Sequence, residues 1–304
     1  MKRKLFLIIN ARSGTAAIKN KLLDVLETFV LWNFEVSVHI TMRQGDAMEQ
    51  ISKRARDFDV IVCCGGDGTI NESFSALSSM SDPPPLGLIP SGTTNDFSHT
   101  LSIPDDPIEA VEIICSGKPF ACDCGLFGSR IFTYSAAFGV FTNVPYETPQ
   151  EQKNLLGRAA YALEAIKNIQ AFSPFNIRAE CKQGVFEGEY ILGMITNTKS
   201  IAGFRNVFTD IAKLDDGLME VTLVKNPKTF SDFQTVLNVL TGIERLSPVQ
   251  SDFLTVFSTG ELDIQSDDPI PWTLDGEEGG ILGNVGLKVL PKAVSVMVKQ
   301  DFSL

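Results

Sequence analysis

A parallel α/β domain followed by a largely antiparallel, β-rich domain is the fold predicted by this 304-residue sequence. Three observations carry that expectation. Up to about residue 114, short apolar runs alternate with segments whose apolar residues recur at helical spacing; that βαβ rhythm implies a parallel sheet covered on both faces. After Pro119 apolar and polar residues alternate in strand-length segments separated by turns, as expected of antiparallel pairing. The texture changes near residue 120, which divides the chain into domains over 1–120 and 121–290, and the length is enough for two cores.

Each element has a local reason. Residues 5–10 (Leu-Phe-Leu-Ile-Ile-Asn) form an apolar run of strand length, and Ile18, Leu22, Val25, Leu26 and Phe29 then trace one face of a helix. Residues 34–41 give the next strand; Ala47, Ile51, Ala55 and Phe58 mark a second helix. A third strand is expected over 60–64, a helix carrying Ile70, Phe74 and Leu77 after it, and a fourth strand over 86–89. The second domain is expected to contain strands over 120–126, 131–141, 175–181, 190–197, 218–224 and 254–258, interrupted by helices over 155–172 and 230–240.

Composition narrows the function classes. No apolar segment reaches the roughly 18 to 20 residues of a membrane-spanning helix, and the apolar start of the chain breaks at Asn10 and Arg12 without a small-residue cleavage pattern. A cytoplasmic protein is expected. Its six cysteines sit in apolar, strand-like surroundings as reduced core thiols, and two isolated histidines leave a Cys-x-Cys pair (Cys122, Cys124) without zinc-ligand spacing. The formal net charge of −11, without a Lys/Arg run, speaks against nucleic acid as a partner.

The chemistry concentrates after the strands of the first domain. In residues 59–69, an apolar strand breaks into Gly65-Gly66-Asp67-Gly68-Thr69 and then a helix. Glycines allow the main chain to approach an anion closely, and the following helix presents its N-terminal amides. Asp67 stands where a carboxylate would meet a phosphate-bound metal. Three other post-strand segments, Asn10-Ala11-Arg12-Ser13-Gly14, Thr41 to Ala47, and Pro90-Ser91-Gly92-Thr93-Thr94-Asn95-Asp96, would gather at the same carboxyl edge, where open α/β sheets bind ligands. Hydroxyls of Ser13, Thr41, Thr69 and Thr93 suit a nucleotide polyphosphate, although each also fits a helix cap or turn. Neither a Gly-x4-Gly-Lys-Ser/Thr loop, a protein-kinase catalytic loop nor a Gly-x-Ser-x-Gly turn occurs. In the second domain, Lys213-Leu214-Asp215-Asp216-Gly217-Leu218 reads as a tight turn or a hard-cation site, and Asp275-Gly276-Glu277 as surface charge or a general base. Phe138, Phe141, Phe172 and Phe175 read as core.

Gly65 to Glu72, Pro90 to Phe97, Leu214 to Leu218 and Asp275-Gly276-Glu277 resemble, in this order and over nearly the whole chain, the motifs of the diacylglycerol kinase catalytic-domain family. The first motif is also similar to that of NAD kinases. The resemblance implies a Rossmann-like nucleotide-binding domain, a β-sandwich-like second domain, and a tail over about 291–304 that returns to the first. It implies an ATP-dependent lipid kinase using Mg²⁺, acting on a diacylglycerol-like lipid in transient contact with a membrane; a kinase for a soluble acceptor such as NAD and a catalytically silent nucleotide-binding module are the alternatives, and a homodimer is among the open assemblies. Asn10, Ala11, Arg12, Ser13, Gly14, Thr41, Gly66, Asp67, Gly68, Thr69, Ile70, Asn71, Glu72 and Thr93 would bind nucleotide, with Asn95 and Asp96 beside the γ-phosphate. The carbonyls of Lys213 and Leu218 with the side chain of Asp216 would hold a structural magnesium. Glu277 would accept the hydroxyl proton, and Asp275 would assist it or the phosphate-bound magnesium. The chain departs from the family at Ser98-His99, where Ala-Arg is common, and at Ala202-Gly203-Phe204 and Thr209, where a glycine cluster and a proline are common.

Overall fold

The computed structural model describes residues 2–14, 17–140, 173–198, 200–201, 204–205, 213–229, 232 and 254–303. The helices expected over 155–172 and 230–240 lie outside these residues apart from position 232, as do Phe141, Phe172, Ala202, Gly203 and Thr209. In the first half, strands β1 (Arg3–Ile9), β2 (Phe34–Ile40), β3 (Val60–Gly65) and β4 (Leu86–Pro90) alternate with helices α1 (Ala17–Leu31), α2 (Asp46–Arg54) and α3 (Asp67–Leu77). They pair in parallel in the order β2-β1-β3-β4, with Leu7 opposite Val38 on one side and Val62 on the other. Strands β1, β3 and β4 read as unbroken apolar runs because both faces are covered; Leu5 to Ile8 and Val60 to Val62 have no exposed surface. Two further helices follow, α4 (Asp96–Thr100) and α5 (Pro107–Ser116). The second begins at Asp106, whose Oδ1 accepts from the amides of Ile108 (2.9 Å) and Glu109 (3.3 Å), with Pro107 in the first turn.

The second half adds β5 (Lys118–Phe127), β6 (Arg130–Phe132), β7 (Ser135–Gly139), β8 (Phe175–Cys181), β9 (Gly184–Thr196), the short pair β10 (Ser200–Ile201) and β11 (Phe204–Arg205), β12 (Met219–Lys225), β13 (Leu254–Thr259), β14 (Glu261–Leu274) and β15 (Glu277–Val298). Pairings among these strands are antiparallel. Their core centres on Trp272, whose ring lies 4.9 Å from that of Phe127 and 4.8 Å from that of Phe138. Phe138 also meets Phe175 edge-on at 6.1 Å, so both belong to this packing. Truncating Trp272 to alanine costs about 3–5 kcal/mol by the usual penalty for emptying a large aromatic site.

Two local differences from expectation have physical causes. The single strand expected over 131–141 is two strands, because the chain at Thr133 and Tyr134 turns its amides toward the carboxylate of Asp275. The other difference is β15, a strand of 22 residues. It pairs with β14 from Glu277 to Lys288, then with β5, and finally places Val296 in parallel beside Leu86 of β4. Its early valines and leucines, such as Val285 and Leu287, pack in the second core, whereas Val294, Val296 and Val298 pack in the first. One strand thus links the hairpin tip at Glu277 to the parallel sheet.

Candidate active site

The loops after β1, β3 and β4 are bound directly to one another. Asn10 donates from Nδ2 to Thr69 Oγ1 at 3.0 Å, its amide reaches the Cys64 carbonyl at 2.8 Å, and the Ser91 amide reaches the Gly65 carbonyl at 3.0 Å. The Ser13 and Ser91 hydroxyls meet at 2.5 Å. Glycine is required where the turns touch: a Cβ on Gly92 would stand 2.7 Å from Gly66 Cα and 2.8 Å from Asn95 Oδ1, and one on Gly66 would stand 3.0 Å from Gly92 Cα. Gly14 faces the same place, its Cβ position lying 3.1 Å from Thr93 Oγ1. Asn95, in the left-handed region at φ 50°, holds the Gly92 amide with Oδ1 at 2.9 Å. The Thr41 amide closes the row on the Ile9 carbonyl at 2.9 Å. Ala11, the exposed Arg12 and the exposed Thr93 lie on these loops; Ile70 and Asp96 are buried beneath them.

Helix α3 begins at the glycine turn with Gly66 as its N-cap and no side-chain cap. The amides of Thr69 and Ile70 turn back to the Gly66 carbonyl at 2.9 and 3.1 Å, and those of Asp67 and Gly68 at the first turn meet no capping side chain, as at a helix terminus that can receive an anion. Asp67 accepts from Thr94 Oγ1 at 3.1 Å through Oδ2, while Oδ1 is buried without a protein partner. Burial, then the charge of Asp96, pushes the Asp67 carboxyl above its ordinary pKa, against the hydrogen bond from Thr94. A buried, unpartnered carboxylate oxygen beside an open helix terminus fits a divalent cation carried by a polyphosphate.

Asn71 and Glu72, expected among the nucleotide residues, spend their side chains on protein partners. Glu72 accepts the amides of Gly45 (2.7 Å) and Ala47 (3.1 Å), capping α2 from another helix and fixing the loop after Thr41. Asn71 donates from Nδ2 to the Ile131 carbonyl (3.0 Å) and to Asp275 Oδ2 (2.8 Å), crossing to the second half of the chain.

Asp275 and Gly276, at φ 50° and 79°, form a two-residue turn between Leu274 and Glu277; positive φ at both positions is the type I′ geometry that suits the twist of a hairpin. Asp275 is buried. Oδ1 accepts the amides of Tyr134 and Ser135, each at 2.9 Å, and Oδ2 accepts the Thr133 amide (2.7 Å), Thr133 Oγ1 (2.8 Å) and Asn71 Nδ2. Burial raises its pKa, while these donors pull it back. With both oxygens surrounded by donors, Asp275 anchors the turn that carries Glu277. Glu277, by contrast, is exposed, and its Oε1 lies 3.8 Å from the place of a Cβ on Gly68. A carboxylate from the second half therefore stands over the glycine turn of the first.

Comparison with known proteins places this geometry. The profile of the diacylglycerol kinase catalytic domain matches residues 4–127, and that of the YegS C-terminal NAD kinase β-sandwich-like domain matches residues 136–298. A diacylglycerol kinase of Bacillus subtilis (strain 168) is 31% identical over 278 residues, covering 91% of this chain and 90% of that one. The chain belongs to the diacylglycerol kinase family. Another member, from Staphylococcus haemolyticus (strain JCSC1435), is 33% identical over 277 residues, with 91% and 82% covered. A crystal structure of a diacylglycerol kinase from Bacillus anthracis (strain Sterne) superposes with a TM-score of 0.77 at 20% identity, covering 98% of this chain and 97% of that one, and shares the fold. The chain is thus a kinase of a lipid-kinase family with a two-domain architecture.

The second carboxylate cluster of this family member surrounds residues 213–220. Asp123 is buried and takes the amides of Gly217 and Lys292, each at 2.7 Å, while its own amide donates to the Leu214 carbonyl at 2.6 Å. Asn197 donates to the Asp123 carbonyl at 3.1 Å, and its Oδ1 is buried without a partner. Glu220 is also buried, with Oε2 unpartnered, and burial with help from the Asp216 charge pushes it up to about 7. Asp216 Oδ1 accepts the Leu218 amide at 3.0 Å. None of the ion pairs among the described residues reaches this cluster. Nor do three His, Cys, Asp or Glu side chains converge as ligands among them. A cation here would need main-chain carbonyls, and the orphaned oxygens belong to Glu220 and Asn197 rather than to the expected ligand Asp216.

Proposed function

We propose that this chain transfers the γ-phosphate of ATP to the hydroxyl of a diacylglycerol, giving phosphatidic acid and ADP. The position of Glu277 Oε1 beside Gly68 carries this reading, because it sets a solvent-accessible carboxylate against the turn that would hold the phosphates. The polyphosphate lies along the loops of residues 10–14, 66–69 and 92–95 with Thr41 at their margin, its charge met by the α3 amides. Glu277 accepts the acceptor hydroxyl's proton as that oxygen bonds to the γ-phosphorus and the bond to the β–γ bridging oxygen breaks. Mg²⁺ bound at Asp67, near Asn95 and Asp96, would neutralise phosphate charge; a second at Asp216 and the carbonyls of Lys213 and Leu218 would brace the loop. Positioning and charge neutralisation carry catalysis, without a covalent enzyme intermediate.

No helix among the described residues is long and apolar enough to cross a membrane. On this reading the protein works from the cytoplasm and meets its lipid transiently at the bilayer surface. The test is transfer of labelled γ-phosphate from Mg-ATP to detergent-dispersed lipids, with Glu277→Gln beside the wild type and NAD as a soluble acceptor. Label on diacylglycerol that disappears in the variant is the expected result. Label on NAD alone, or ATP binding with no transfer, overturns the reading.

A further inference from the structure

We propose that Asp275 and Asn71 form a latch that sets the reach of Glu277 over the phosphate-binding turn, acting as positioning residues in the transfer. This inference rests on the reading of Glu277 as the proton acceptor. Three separate parts of the chain converge on the Asp275 carboxylate: α3 through Asn71, the break between β6 and β7 through Thr133, Tyr134 and Ser135, and the hairpin turn itself. The turn is tied a second time, since the Asp275 amide donates to the Ser135 carbonyl at 2.8 Å. Asn71 stands on the same helix as Asp67 and Gly68, one turn after the glycines, and its second bond to the Ile131 carbonyl fixes the amide's orientation.

A carboxylate with both oxygens accepting from main-chain donors is acceptor-only and pinned in one rotamer. Glu277 lies two residues beyond it across a turn whose dihedrals are set by Asp275 and Gly276. Position at Glu277 therefore follows position at Asp275, and Asp275 follows α3. Reacting groups lose rate steeply when displaced by about 1 Å, so a latch spanning the two halves acts on turnover more than on ground-state nucleotide binding.

The experiment is a double-mutant cycle of Asn71→Ala with Glu277→Gln, measuring kcat, the KM for ATP and nucleotide affinity. Asn71→Ala should lower kcat about tenfold to a hundredfold, as misplacement of a reacting group does, with nucleotide affinity unchanged. Combined with Glu277→Gln it should add little, because the latch works through that carboxylate. Multiplicative losses, or a loss of nucleotide affinity at unchanged kcat, overturn the latch. Thr133→Val, which removes the Oγ1 donor to Asp275 at nearly constant volume, carries the same cycle if Asn71→Ala fails to fold, with a smaller kcat loss expected. Should Glu277→Gln alone be silent, the reading of the base fails and the latch falls with it; a damaging Glu277→Gln with multiplicative losses in the cycle overturns the latch alone.

Discussion

The turn after β3 and the turn between β14 and β15 meet where Glu277 comes over Gly68, yet they are built in opposite ways. The first is main chain: glycines at 66, 68 and 92, a helix terminus without a side-chain cap, and backbones close enough that Gly92 would clash with Gly66 if it carried a Cβ. The second is side chain: one buried carboxylate holding the turn and one exposed carboxylate beside Gly68. An anion of variable position is met by many weak, fixed dipoles, whereas a proton must be taken at one atom. Substitutions should separate these two roles.

The largest expected effect is at the side-chain end. Glu277→Gln keeps shape but not basicity, and should lower kcat by about 10²- to 10⁴-fold with nucleotide affinity intact; steady-state kinetics beside a binding titration checks both. An equal loss of nucleotide affinity would erase the division between the turns. Gly92→Ala is the main-chain counterpart. Overpacking of this kind costs about 1–3 kcal/mol of stability, and with the loops of Gly66 and Gly92 forced apart the KM for ATP should rise while the lipid KM stays put.

Smaller effects sharpen the contrast. Gly276→Ala, at φ 79°, should cost about 1–2 kcal/mol of stability, seen in thermal unfolding, because an L side chain is strained in that region. Smallest is Asp67→Asn in the absence of nucleotide and metal. Burial and Asp96 raise the pKa of Asp67 in the folded state, so between the unfolded and folded pKa values the native state holds more of the proton. Stability is lost as the pH rises through that window, and the cost is complete at neutral pH. The variant should therefore melt slightly higher than the wild type near pH 7, with the difference fading toward the lower end of the carboxylate range.

The same contrast explains what could be read from the sequence. Glycine turns advertise themselves locally, since an apolar strand such as Val60 to Cys64 cannot end in Gly65-Gly66-Asp67-Gly68 without changing direction. The parallel strands were legible because burial on both faces leaves unbroken apolar runs. Asp275 was visible as a residue but not in its role, because its donors lie 140 to 142 positions upstream in Thr133 to Ser135 and 204 positions upstream in Asn71. Glu72 was hidden likewise, its carboxylate capping α2, 25 to 27 residues earlier. Strands β14 and β15 are not legible in the sequence because their register shifts between Gln265 and Ile270, between Trp272 and Thr273, and between Leu290 and Val294 interrupt the alternation that marks a strand.

Strand β15 also bears on how the molecule is made. On the ribosome, β4 and β5 emerge well before the strand that bridges them, so a nascent chain holds unpaired sheet edges through the synthesis of more than half its length. Such edges invite pairing with other chains. The segment that finally covers them is the one that begins at Glu277, and the proposed base arrives together with the protection against aggregation.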